Sequence, residues 1–346
     1  MKNWCKTFAA VALFTTVCFA SGSGSAVPQE DVKAPEHQLS AWVAYWDLKS
    51  GMQELHEANE RNSVYGSVSY FAAYFNSKGK LFLPDALEQE ADENNSSVQQ
   101  RYLTVVNDVA GKKESDSAKY KDIDIVKKVL KDDKAQQKHA DEIIRLAKKA
   151  DCNGIDLDYE KVFRDKKAAQ LYLKFIKVLY DKAQENDLQL RVILEPNVNF
   201  DAYKFPKGPE YMVMLYNLYG LHSGEGPKAD YAFIRNTIGK MKSLPQPIGA
   251  ALATGGCWWN STGEKKFISA QQAEELAEKY GKQPLRSLQS SALHFEYKDK
   301  DGIEYKVWYA DELTLASWIN KAEDAGAEDI CIWRLGSNEA VYDFDI

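Results

Sequence analysis

Residues 151–160 read Asp-Cys-Asn-Gly-Ile-Asp-Leu-Asp-Tyr-Glu. The side chains of an extended chain alternate faces, so Ile155, Leu157 and Tyr159 point one way and Asp156, Asp158 and Glu160 the other. After a short connector, residues 166–186 carry Leu171, Phe175, Val178 and Leu179 at helical spacing. This is a strand followed by a helix. The apolar strand face packs under the helix, which sends the three acids to the opposite side. Successive members sit about 6–7 Å apart along the strand, with Glu160 nearest its C-terminal end.

Outward from this unit the alternation repeats. Strands are predicted at 41–46, 64–75, 102–106, 154–159, 190–194, 211–216, 248–253 and 329–333. Helices are predicted at 49–62, 122–150 with a break near Asp132-Asp133, 166–186, 230–243, 269–280 and 311–325, the last stopped by Gly326. Strands alternating with helices imply a parallel sheet. Eight such units in this length imply an α/β fold of the closed (β/α)8 TIM-barrel type. Residues 293–308 read as a hairpin turning at 298–302, an insertion between strands seven and eight. So little sequence follows the eighth strand that a last helix is expected to be short or missing.

The 346 residues hold 44 Lys and Arg against 51 Asp and Glu, a formal net charge of −7. An acidic chain lacks the basic stripe that phosphate binding needs, which argues against a nucleic-acid partner. Lys2 and Lys6 followed by the apolar run from Phe8 to Phe19 and small residues to Ala26 predict a signal peptide at 1–26. A linker is then expected at 27–39 and the barrel at 40–346. No later run is long enough to span a bilayer, so no integral membrane segment is expected in the mature chain, which would be secreted, periplasmic or at the cell surface. Cleavage would leave Cys152, Cys257 and Cys331, an odd number, read as small buried hydrophobes. The five His form no i,i+4 pair and no CxxC is present, so no metal site is expected.

In a barrel the acid face of strand four points into the mouth, where barrel active sites lie. Crowded carboxylates raise one another's pKa, which supplies a carboxylic acid that stays protonated near neutral pH, as a general acid must. By position, Tyr45 ends strand one and either lines the mouth or packs in the core. Asn107 of strand three and Glu195, which ends strand five, are placed to reach a ligand at the rim. Trp258 and Trp259 follow strand seven and serve either as a stacking platform or as packing.

The segment Asn153-Gly-Ile-Asp156-Leu-Asp158-Tyr-Glu160 resembles the strand-four signature Asp-x-x-Asp-x-Asp-x-Glu of glycoside hydrolase family 18, the chitinase-like barrels, with Asn153 in place of the first Asp. Met212-Val-Met214-Leu-Tyr216-Asn217 resembles the family's Met-x-Tyr-Asp on strand six, with Asn217 for the Asp. Residues 330–336, Ile-Cys-Ile-Trp-Arg-Leu-Gly, resemble its closing strand. Gly224-Glu-Gly-Pro227 and the hairpin running into Val307–Asp311 are similar to the bacterial branch that acts on spore cortex and cell wall. Strand three carries Val105-Val-Asn107-Asp108 where many chitinases have Ser-x-Gly-Gly.

The resemblance implies a glycosidase acting on glycans with β-linked N-acetylglucosamine (chitin, peptidoglycan or N-glycan), with retention of configuration and no cofactor. Most retaining glycosidases pair two carboxylates. Here the substrate's own acetamido oxygen would attack the anomeric carbon. Glu160 would be acid and then base, Asp158 would orient the acetamido group, and Asp156 would share a proton with Asp158. Tyr216 would donate to the acetamido group. Trp333 would stack beneath the sugar, with Asn217 and Met214 beside it. The alternative is a non-catalytic sugar-binding barrel of the same fold, for which Asn153 and Asn217 are the motivating departures.

Overall fold

Eight strands pair edge to edge until the last meets the first. The computed structural model describes residues 38–85, 87, 98–110 and 118–336. The barrel strands are β1 (Leu39–Ala44), β2 (Tyr65–Phe75), β3 (Gln100–Val109), β4 (Gly154–Asp158), β5 (Gln189–Leu194), β6 (Glu210–Met214), β7 (Ile248–Ala253) and β8 (Asp329–Leu335). Each is parallel to its neighbours, and β1 pairs with both β8 and β2, which closes the (β/α)8 barrel. The predicted signal peptide, most of the predicted linker and anything after residue 336 lie outside the described residues, as does the expectation about a last helix.

The helices are α1 (Leu48–Asn62), α2 (Ile123–Val129), α3 (Asp133–Lys149), α4 (Lys166–Gln184), α5 (Tyr231–Met241), α6 (Ala270–Lys279) and α7 (Glu312–Ala325). The break between α2 and α3 falls where Asp132 caps the second helix by accepting the Ala135 N–H at 2.8 Å. Asp165 caps α4 through the Lys167 and Ala168 N–H groups, both at 2.9 Å. Gly326 ends α7 at φ 110°, a left-handed conformation that glycine takes without strain. On α4 the buried stripe runs through Ala168, Tyr172, Phe175, Ile176 and Leu179. Leu171 and Val178, expected in that stripe, are only half-buried at its margin.

The insertion between β7 and β8 is larger than the single hairpin expected. Strands at Gly255–Asn260, Lys265–Ile268, Leu285–Arg286, Leu293–Lys298 and Glu304–Ala310 form a five-stranded antiparallel sheet that carries α6. At Gly256 a Cβ would lie 1.8 Å from the Trp308 carbonyl oxygen. The glycine is there because two strands approach closely, not because the chain bends. Trp258 and Trp259 sit on this sheet. Trp259 is buried and donates its indole N–H to the Gly220 carbonyl at 3.3 Å, and Trp258 packs edge-on against Tyr305 at 5.2 Å. Cys152, Cys257 and Cys331 are all buried and unpaired.

Candidate active site

Register builds the site in layers. Thr104 of β3, Asp156 of β4 and Arg191 of β5 are direct cross-strand partners. Above them, Val106 of β3 faces Asp158. Gly154 opens β4 because a Cβ there would come within 2.4 Å of the Tyr102 ring. Asn153, just before it, clips the foot of β3: its Oδ1 accepts the Arg101 N–H at 2.7 Å and its Nδ2 donates to the Gln99 carbonyl at 3.0 Å. Seven residues of extended chain span roughly 23 Å, so Asn153 stands at the opposite end of the barrel from Glu160.

The lower layer is an ion-pair network. The Arg191 guanidinium donates to both oxygens of Asp156, at 2.8 and 3.1 Å, to Asp329 at 3.0 Å, and to Ser40 and Ser69. Thr104 adds a hydrogen bond to Asp156 at 3.2 Å. Asp156 is therefore fully buried with both oxygens occupied, and its partner is Arg191 rather than Asp158. Nearby Glu210 is pushed up to about 8, first by burial and then by the charge of Asp329.

The upper layer gathers Asp158, Glu160 and Lys121. Asp158 is buried, and among the described residues its Oδ1 has no hydrogen-bond partner. Burial, reinforced by the Glu160 charge, raises its carboxyl well above the usual range. Burial also raises Glu160, against the opposing pull of Lys121. The Lys121 ammonium sits directly on the Glu160 carboxylate and feels Asp158 and Glu195 as well. The Glu160 backbone is pinned from both sides by Asn107, whose Oδ1 accepts the Glu160 N–H at 2.9 Å and whose Nδ2 donates to the Glu160 carbonyl at 3.1 Å. Asn107 is itself buried, and both ends of its amide are engaged by the Glu160 backbone. Glu195 likewise accepts the Lys161 N–H at 2.6 Å and braces the turn after Glu160.

Aromatic residues close the inner end. Trp333, at the C-terminal end of β8, meets Trp42 at 6.0 Å, Phe71 at 5.0 Å and Tyr216 at 6.3 Å, with the Tyr216 ring nearly parallel to its own. Met214 is buried in this same interior cluster. Burial and the charges of Asp158 and Glu160 keep the Tyr216 phenol protonated. Tyr45 stacks on Tyr74 at 5.4 Å, between β1 and β2. From Tyr216 and Trp333 a cleft of about 500 Å³ opens past Asn217, Thr254 and Lys228. Its apolar platforms are Trp46 and Phe267, 54% and 55% exposed.

Sequence reasoning missed Lys121, Arg191, Trp46 and Phe267 as site residues. Arg191 was findable. In Gln189-Leu-Arg-Val-Ile-Leu194 it falls on the same face as Ile193, the barrel interior, where an unpaired charge is prohibitive. Lys121 carries no such pattern, because it reaches Glu160 from a loop in which its φ is 56°.

Comparison with known proteins agrees with the geometry. Residues 41–338 match the family described as Glycosyl hydrolases family 18. The chain is 24% identical over 232 residues to an uncharacterized glycosylase, YvbX, of Bacillus subtilis, an alignment covering 62% of this chain and 67% of that protein. It is 23% identical to the cortical fragment-lytic enzyme of Bacillus cereus, covering 62% of this chain but only 53% of the relative, so the chain spans between half and two thirds of these relatives' length. A chitinase from Chromobacterium violaceum superposes with a TM-score of 0.73 at 17% identity, covering 88% of this chain and 96% of the other. With its closed barrel and its match over nearly the whole described chain, the protein belongs to glycosyl hydrolases family 18.

Proposed function

We propose that this protein hydrolyses β-linked N-acetylglucosamine-containing glycans with Glu160 as the one general acid and base and with retention of configuration. The observation that carries this reading is the upper layer: Glu160 beside a buried Asp158 whose Oδ1 has no partner, under a protonated Tyr216. A buried oxygen without a hydrogen bond costs free energy, which a polar group on the ligand would recover. The N–H of a sugar acetamido group is such a donor. It would fix the acetamido oxygen against the anomeric carbon while Tyr216 donates to that oxygen. The oxygen attacks, the C–O bond breaks, and Glu160 passes its proton to the departing sugar. Water then attacks the oxazolinium ion from the face opposite the acetamido oxygen, Glu160 takes its proton, and configuration is retained overall.

Asp156 enters only indirectly, because Arg191 holds it. Trp333 supplies the flat floor for the ring, and Trp46 and Phe267 extend the platform outward. The N-terminal targeting pattern favours action outside the cytoplasm, on wall or environmental glycan. The test is digestion of chitooligosaccharides and of peptidoglycan strands, with product anomers followed by NMR as they appear. The expected result is a β-anomer at first and loss of at least 10³-fold in kcat for Glu160→Gln, in keeping with general acid catalysis combined with loss of the base. Binding of these glycans without any new reducing end would instead establish the non-catalytic barrel.

A further inference from the structure

The cleft beyond Tyr216 and Trp333 differs in charge from the rest of the molecule. The chain as a whole is acidic. Yet among the described residues the cleft is lined by Lys228, Arg334 and His222, with Asn217, Ser269 and Gln272, and by no Asp or Glu. Arg334 is already balanced, since it donates to Asp47 at 2.8 Å. Lys228 is not. Among the described residues no carboxylate pairs with it, and its ammonium donates to the Thr254 carbonyl at 2.6 Å. An ammonium has three N–H donors, so two remain for a ligand. The Phe267 ring lies 5.8 Å away. The first turn of α6 also lines the cleft through Ser269 and Gln272, and a helix N-terminus favours negative charge.

We propose that Lys228 is a specificity residue that receives a carboxylate carried by the glycan, so that the preferred substrate is an N-acetylated glycan bearing an acidic substituent close to the scissile bond. This rests on the glycan-hydrolysing reading above and adds the substrate class. Two sources offer the same chemistry: a lactyl ether on the sugar itself, or a peptide attached to it. Lys228 as a whole is half-buried, but enough protein surrounds the amine that burial pulls it down to about 8. It is thus still mostly protonated at pH 7 and loses its charge just above, so recognition of the acid weakens through that range. A neutral glycan feels no such change.

The experiment compares four oligomers: β-1,4-linked N-acetylglucosamine, an alternating glycan with free lactyl carboxylates, the same glycan with those carboxyls converted to methylamides, and the peptide-bearing form. Wild type, Lys228→Met and Lys228→Arg are assayed at pH 6 and pH 9. A charge-assisted hydrogen bond of ordinary strength corresponds to roughly tenfold to hundredfold in affinity. The expected result is at least a tenfold preference in kcat/KM for an acid-bearing glycan over its amidated partner at pH 6. That preference shrinks at pH 9, collapses in Lys228→Met and returns in Lys228→Arg. If only the peptide-bearing form shows it, the carboxylate is the peptide's. Equal rates on acid and amide, or a preference that survives Lys228→Met, overturn the assignment. If no glycan is cleaved at all, the proposed reaction fails, and calorimetry on Glu160→Gln decides the recognition separately. Tighter binding of acid than of amide upholds it, and equal or absent binding overturns it. Should Lys228→Met not fold, the wild-type comparison of acid with amide at the two pH values decides alone.

Discussion

Replacing Lys121 by Met isolates the cation that sits on the proposed acid. Opposing forces act on Glu160. Burial raises its pKa, the Lys121 ammonium lowers it, and the charges of Glu195 and Asp108 add to the rise. Removing the ammonium leaves the rise unopposed, so the carboxyl should hold its proton to higher pH. The size follows from Coulomb's law: unit charges about 4 Å apart interact by about 1 kcal/mol in water and about 4 kcal/mol at an effective dielectric of 20. Lys121 keeps 41% of its side chain exposed and Glu160 15%, so the pair is partly screened and belongs toward the lower end. An interaction of about 1–1.5 kcal/mol moves a pKa by about one unit.

The assay is kcat/KM against pH on a neutral chitooligosaccharide at low salt. Its basic limb reports the acid of the free enzyme. The limb should move up by about one pH unit in Lys121→Met and return in Lys121→Arg. In 1 M salt the gap between wild type and Lys121→Met should narrow, because screening already weakens the pair. The Lys121 backbone N–H to Asp108, at 2.7 Å, does not depend on the side chain, so the loop should survive the substitution. A basic limb that stays put, or that moves down, would refute the reasoning and leave Lys121 as a surface lysine with no part in setting the acid.

Three further outcomes follow from the same geometry. Asn107→Ala removes both hydrogen bonds to the Glu160 backbone, so kcat should fall about tenfold to hundredfold with KM nearly unchanged. A rise in KM alone would mean that the amide contacts sugar after all. Arg191→Met strands a buried Asp156, at a cost of about 3–5 kcal/mol in denaturant unfolding. Adding Asp156→Asn should recover part of the loss, and a single variant within about 1 kcal/mol of wild type would contradict the network. Glu210 is raised to about 8, so the native state binds a proton that the unfolded chain has already released, and its contribution to stability is lost as pH rises toward 8. Glu210→Gln should therefore gain in Tm relative to wild type between pH 5 and pH 9, and a gap that narrows over that range would be evidence against the assignment.

The barrel was legible because its signals are periodic. Alternation fixed the inward face of Asp156, Asp158 and Glu160, and the 3.6-residue stripe with its Asp caps marked the helices. Signals that depend on spatial neighbours were not legible. The insertion sheet was one of these: its strands pair with partners distant in sequence, and at Gly256 the paired strand leaves no room for a Cβ. Asn107 and Glu195 both lie beside Glu160. Their hydrogen bonds, however, go to the backbone around Glu160, and no strand pattern distinguishes a side chain that meets sugar from one that braces its neighbour. Asn153 was a departure from the family signature with an unknown effect on chemistry. Its place at the foot of β4 ties it to the β3 backbone instead.

The two inward layers share one charge arithmetic and differ in what holds the cation. Below, Arg191 faces Asp156, Asp329 and Glu210; above, Lys121 faces Asp158, Glu160 and Glu195. Three carboxyls around one cation cannot all ionise cheaply in a buried site, so carboxyls are driven toward the neutral form in each layer: Glu210 below, and above Asp158, with Glu160 raised as well. The lower cation is a fully buried guanidinium fixed by a bidentate pair, suited to hold one arrangement permanently. The upper one is a half-exposed lysine on a loop. If Glu160 is the acid, as proposed, a sugar entering against it would displace that ammonium into water, and the loss of its charge would raise the Glu160 pKa at the moment a proton donor is needed. The same displacement would be impossible for Arg191 without unfolding the barrel floor. On this reasoning Lys121→Arg should preserve the pH profile yet slow turnover, because a guanidinium gripping Glu160 in two places yields less readily to the substrate. Turnover by Lys121→Arg equal to wild type would show that the cation leaves without resistance.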